Sequence, residues 1–178
     1  MKCTSLVLSV AGLAMTGAVA IAQHAGHGKG HAQPYAGQQS REVASLSAEE
    51  IEGWRAGRGM GLARPAELNG HPGPMHVLEL AGDLQVTDEQ KVKVQNVFDR
   101  MKVRAQTAGA AYLAAEREVD SAFRAGSVDA SVIALLVREA DTRRADVRLA
   151  HLEAHLEMSA VLTSEQKQRY AKLRGYAP

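Results

Sequence analysis

The side chains best suited to chemistry stand together at His151, His155 and Met158. Four and three residues apart, they fall along one stripe if the segment is an α-helix, and their donor atoms could then reach a common point. Imidazole with thioether suits copper; imidazole with carboxylate suits zinc, nickel or cobalt. Glu153 and Glu157 point away from that stripe, so a carboxylate would have to come from elsewhere, such as Glu79, three residues after His76. The same stripe is where a helix places its core, and methionine there is commonly a packing residue. The spacing is therefore compatible with ligation and with packing. It lacks the glutamate placement of His-Glu-x-x-His, and no Ser/His/Asp arrangement, nucleophile elbow or glycine-rich nucleotide fingerprint accompanies it. The chain is expected not to be an enzyme and to carry no organic cofactor.

Three more histidines, His24, His27 and His31, lie in a tract of Gly, Ala and Gln with almost nothing to bury. Residues 23–45 are expected to form a disordered arm, whose imidazoles could serve as auxiliary metal collectors. Ahead of it, Lys2, the apolar run to Ile21 and Ala20-Ile21-Ala22 predict a cleaved signal peptide over residues 1–22, and hence a periplasmic protein. Cleavage would remove Cys3, the single cysteine. An exported chain without thiols cannot be a disulfide scaffold, a thiol oxidoreductase or a cysteine-ligated metal protein. The 21 basic and 20 acidic residues are interleaved without a basic stripe, which argues against a nucleic-acid partner.

The elements that must position the histidines are all helices. Ser47 with Glu50, Thr87 with Gln90 and Thr163 with Gln166 each have the spacing of a capping box. The first opens a short helix ending near Arg55-Ala56-Gly57. Gly57, Gly59 and Gly61 then predict a flexible connector, Ala66 to Asn69 a helical turn, and Pro74 the start of a helix over Met75 to Leu84. After Thr87, small or apolar residues recur from Val94 and Phe98 to Val119 and Ala122 in steps of four and three. That seam predicts a helix of some 38 residues, about 57 Å long. Gly126 stops it, Ser127 or Asp129 caps the next, and a matching helix runs through His151 to about Val161. A final helix starts at Thr163 and ends near Gly175. The expected fold is all-α: a single domain over residues 46–178, built on a long antiparallel hairpin with short flanking helices. With only 4% aromatic residues, such a hairpin has little interior, which favours a homodimer, with the short helices wrapping either the hairpin ends or the second subunit.

Leu162-Thr163-Ser164-Glu165-Gln166 and Val86-Thr87-Asp88-Glu89-Gln90, flanking a long hairpin behind a signal peptide, resemble the paired LTxxQ motifs of the periplasmic Spy/CpxP family, with Val in place of Leu in the second. The run from Gly57 to Pro74 is similar to that of its heavy-metal-resistance branch. The resemblance implies a periplasmic, intertwined all-α dimer that is metal-responsive. It equally implies, as an alternative, an ATP-independent chaperone of unfolded periplasmic proteins or an adaptor of a membrane sensor kinase. The sensor branch pairs His-x-x-x-His and His-x-x-x-Met patterns with a carboxylate. His151 and His155 match the first pattern, whereas Met158 stands three residues from His155 instead of four.

Overall fold

Helix initiation follows the capping chemistry read from the sequence. In the structure, a computed structural model that describes residues 33–176, Ser47, Thr87 and Thr163 each accept the N–H three residues on, and Glu50, Gln90 and Gln166 each reach back to the cap N–H. The α-helices are α1 (Ala48–Arg55), α2 (Arg64–Leu68), α3 (Pro74–Glu79), α4 (Asp88–Arg124), α5 (Ala130–Val161) and α6 (Ser164–Leu173), preceded by a 3-10 turn at Gln38–Ser40. Among the described residues all regular structure is helical, and no helix is long and apolar enough to cross a membrane.

Helices α4 and α5 form the expected antiparallel hairpin. Arg104 pairs with Glu153 at 2.6 Å and Arg100 with Glu157, so the register runs in opposite directions along the two helices. Gly126, with φ +75°, makes the turn, and Asp129 caps α5 by accepting the Ser131 N–H. The predicted seam is buried at Val94, Met101, Ala105, Tyr112 and Ala115. It fails toward the tip, where nothing between Glu116 and Glu139 is buried. The interior is divided. One apolar cluster, with Trp54, Tyr112, Val147 and Ala150, lies under α1; the other, with Val77, Leu84, Val94, Met158 and Tyr170, lies at the helix corners.

The two corner boxes meet each other. Gln90 Nε2 donates to Gln166 Oε1 and Gln166 Nε2 to Gln90 Oε1, both at 2.9 Å, while each Oε1 still accepts its own cap N–H. A cyclic pair of primary amides thus ties the start of α4 to the start of α6.

Three expectations need correction. The part of the arm described here is packed: Val43 is fully buried, the Ala44 N–H donates to Asp120 Oδ2 at 2.8 Å, and Glu42 bridges Arg55 and Arg117. Two apolar side chains, Val43 and Leu46, are enough to dock a run whose average composition looks unfoldable. Helix α3 ends at Glu79, not Leu84, because Leu84 and Val86 must both turn inward at the corner, and Gln85 takes a left-handed φ of +52° to allow it. The connector at Gly57 is a packed strap. A Cβ there would stand 3.1 Å from the Lys102 carbonyl and 3.0 Å from the Gln106 N, and φ is +67°. Only glycine admits both the close approach and that backbone. The predicted arm histidines His24, His27 and His31 and the signal segment lie outside the described residues.

Candidate metal centre

His151 and His155 sit one turn apart on α5, where one apolar cluster gives way to the other, and are only 6% and 7% exposed. Two straps close over them. The Gly57–Gly61 strap covers His151: the Gly57 backbone hydrogen-bonds the ring, and Gly59 packs so close that a Cβ would stand 3.4 Å from its Nδ1. The His71–Gly73 turn covers His155, whose Nδ1 lies 2.7 Å from the His71 carbonyl. A Cβ on Gly73 would stand 3.2 Å from His155 Nε2.

These contacts set the tautomers. A carbonyl accepts only from an N–H, so His155 carries a proton on Nδ1, and the lone pair of the neutral ring is on Nε2. In His151, Nε2 is buried without a hydrogen-bond partner. Burial, reinforced by the proximity of His155 and opposed by the Gly57 backbone, holds its pKa below the ordinary histidine value. The ring is therefore neutral at neutral pH. His155 has the arrangement in which metal-binding histidines are usually found, with Nδ1 oriented by a backbone acceptor, and in His151 it is Nε2 that has no hydrogen-bond partner.

Both line a cavity of about 500 Å³ together with Met60, Met101, His76 and Glu67. Glu67, on α2, is the carboxylate nearest the pair, its Oε2 3.7 Å from His155 Nδ1. Its other oxygen accepts from the Tyr170 hydroxyl and lies 3.5 Å from Arg174 Nε. Burial, together with that carboxylate, pushes the Tyr170 pKa upward, so the hydroxyl remains a donor. His71 is used structurally: Ser159 Oγ donates to the His155 carbonyl at 3.1 Å and so must accept from His71 Nδ1–H at 2.8 Å.

The structure thus brings His151 and His155 together, places His76 at the same cavity, and leaves Met158 and Glu79 outside its lining. Met158 is fully buried in the corner cluster and does not line the cavity, because one turn past His155 the helix has already entered that apolar layer. His76 reaches the cavity but spends Nδ1 on Glu79 at 2.9 Å, an exposed pair in which Glu79 does not line the cavity. The carboxylate beside the histidines is Glu67, which sequence reasoning missed. It lies 88 residues from His155, and nothing in its neighbourhood marks it; the alternate glycines at 57, 59 and 61 were the available sign of close backbone approach. Thr87, Gln90, Thr163 and Gln166 act in capping as expected. Among the described residues, no group of three or more His, Cys, Asp or Glu side chains is arranged to hold an ion.

Fold and site together define a helical-hairpin protein with two buried imidazoles, one turn apart, at the wall of a cavity, a constellation suited to holding a ligand. The heavy-metal resistance family model matches residues 57–169, which include both straps, the hairpin and the second corner. The chain belongs to that family. Neither the curated proteins nor the solved structures provide a match.

Proposed function

We propose that the protein is an exported, metal-responsive heavy-metal-resistance protein of Spy/CpxP type that binds a divalent or cuprous ion through Nε2 of His151 and His155. The carrying observation is the buried, unpartnered Nε2 of His151 beside a second histidine whose Nδ1 is held by a carbonyl. A buried polar atom left without a partner costs about 1–3 kcal/mol, and an ion in the cavity supplies the missing partner. The role is non-enzymatic, with His24, His27 and His31 as auxiliary collectors in the periplasm. The test is calorimetric titration with Zn²⁺, Ni²⁺, Co²⁺ and Cu²⁺, and with Cu⁺ under anaerobic conditions, of the wild type and of His151→Ala/His155→Ala. Weaker binding by the variant is expected, with circular dichroism confirming that it folds; equal affinities would refute the assignment.

A second copy of the chain is the proposed partner, since Phe123 and Leu135 are 60% and 66% exposed on the part of the hairpin without a core. Light scattering should give twice the chain mass. The chaperone or sensor-adaptor alternative is favoured by Val103 and Leu156, 63% and 60% exposed on the outer faces of the hairpin. It requires ATP-independent suppression of aggregation of a denatured client, and fails if none is seen with or without metal.

A further inference from the structure

We infer that the cavity selects a soft monovalent ion, Cu⁺ or Ag⁺, over a divalent one, with the Met101 thioether as the third donor beside His151 and His155. This rests on the metal reading above and names the class of ion.

The first argument is donor number. Zinc sites take three or four protein ligands from His, Cys, Asp and Glu. Here the two imidazoles have no third group of that kind arranged with them among the described residues. The nearest carboxylate, Glu67, has Oε1 engaged by the Tyr170 hydroxyl with Arg174 Nε 3.5 Å away, and its Oε2 stands 3.7 Å from His155 Nδ1, the nitrogen that carries the ring proton. His76 lines the cavity but is tied through Nδ1 to the exposed Glu79, and the cavity also offers sulfur. Met101 projects from α4, is 8% exposed, and lines the same cavity as both histidines. Thioether with imidazole is a neutral, soft set that favours Cu⁺. Met60 and Met75 also line the cavity, but they are 42% and 46% exposed, and the Met60 sulfur is packed on Gly53, where a Cβ would stand 2.5 Å away.

The second argument is charge. Arg58, Arg64 and Lys102 line the cavity, and Glu67 is its single acidic residue. Repulsion by those cations scales with the charge of the ion, so it opposes a dication twice as strongly as a monocation. A neutral donor set leaves both charges of a dication beside those cations, whereas a monocation brings only one.

The experiment uses the full chain with His24, His27 and His31 replaced by alanine, so that only the cavity reports. Ag⁺, and Cu⁺ in competition with bicinchoninate under anaerobic conditions, are titrated alongside Zn²⁺ and Ni²⁺ while the ¹³C-labelled methionine methyls are followed by NMR. One Ag⁺ per chain is expected to shift the Met101 methyl. Met101→Leu, close to volume-conserving, should weaken Ag⁺ and Cu⁺ by about tenfold or more and leave Zn²⁺ unaltered. Binding of Zn²⁺ or Ni²⁺ that depends on His151 and His155, with the methionine methyls unmoved by Ag⁺, overturns the soft-ion inference and leaves the metal reading standing. Failure of every ion to bind overturns both.

Discussion

Replacing Gln166 by glutamate exchanges one NH₂ for an oxygen at constant shape, at the point where the two corners are joined. Gln166 Nε2 donates to Gln90 Oε1 at 2.9 Å and lies 3.4 Å from the carbonyls of Leu84 and Gln85. Its Oε1 accepts the Thr163 N–H at 3.0 Å and Gln90 Nε2 at 2.9 Å. A carboxylate keeps the accepting half and turns the donating half into an oxygen facing three acceptors. Flipping the Gln90 amide offers no rescue, because its Nε2 also donates to the Val161 carbonyl at 3.0 Å and its Oε1 accepts the Thr87 N–H at 3.1 Å. The lost bond is worth about 1 kcal/mol and the unpaired, part-buried oxygen about 1–2 kcal/mol more. Gln166→Glu is therefore expected to destabilise by about 2–3 kcal/mol near neutral pH, or roughly 5–10 °C in melting temperature. Protonation restores a donor, so the introduced carboxyl has a raised pKa in the folded state. Its penalty is smallest below the ordinary glutamate value of about 4.3 and grows as pH rises through the folded pKa. Urea unfolding at fixed protein concentration, followed by circular dichroism from acid to neutral pH, measures both features. A cost below about 0.5 kcal/mol at neutral pH, or one that increases on acidification, would refute the amide-pair account.

Gly109→Ala places a Cβ 2.1 Å from the Trp54 carbonyl, a backbone atom that cannot step aside. A loss of about 2–3 kcal/mol is expected, with a red shift in the emission of Trp54, the single tryptophan. Tyr170→Phe removes the hydroxyl that donates to Glu67 and should cost about 1–3 kcal/mol in urea unfolding. Because His151 titrates below the ordinary histidine value when folded, the unfolded chain takes up its proton first. Stability should be full above about pH 6.5 and fall as pH drops from there toward the folded pKa, and His151→Leu should flatten that slope in pH-dependent melting.

The sequence reveals helices where the signal is local. Ser47, Thr87 and Thr163 announce their helix starts because a cap and its partner lie three residues apart, and the seam from Val94 to Ala115 repeats at the period of the helix itself. The histidine pair is visible for the same reason, since i, i+4 spacing is a property of α5 alone. What escapes are relations across the chain. Glu67 reaches His155 only because Pro65 and Gly70 bound a short helix that the hairpin supports from outside. Met158 shares the helical stripe of the histidines, yet burial, decided by the corner cluster from Val77 to Tyr170, assigns it to packing. Gly57 looked like a flexible hinge because composition cannot distinguish a glycine that frees the backbone from one that lets two backbones touch.

That last distinction explains how so thin a scaffold holds a buried polar pair. Two helices have a single shared seam, and a histidine in it would ordinarily face water on one side. Here the Gly57–Gly61 strap and the His71–Gly73 turn supply a third wall, each bringing backbone against one ring: Gly57 and Gly59 at His151, His71 and Gly73 at His155. Backbone is suited to this task because a carbonyl fixes the proton on one nitrogen without adding a charge or a competing side chain to the cavity. A Cβ at Gly73 would stand 3.0 Å from His155 Cε1 and 3.2 Å from Nε2, so alanine there would crowd the Nε2 edge of the ring. The glycines of both straps thus set the geometry of the cavity as much as the histidines do. Their contribution is to shape the space and orient the nitrogens, and the two imidazoles retain the lone pairs.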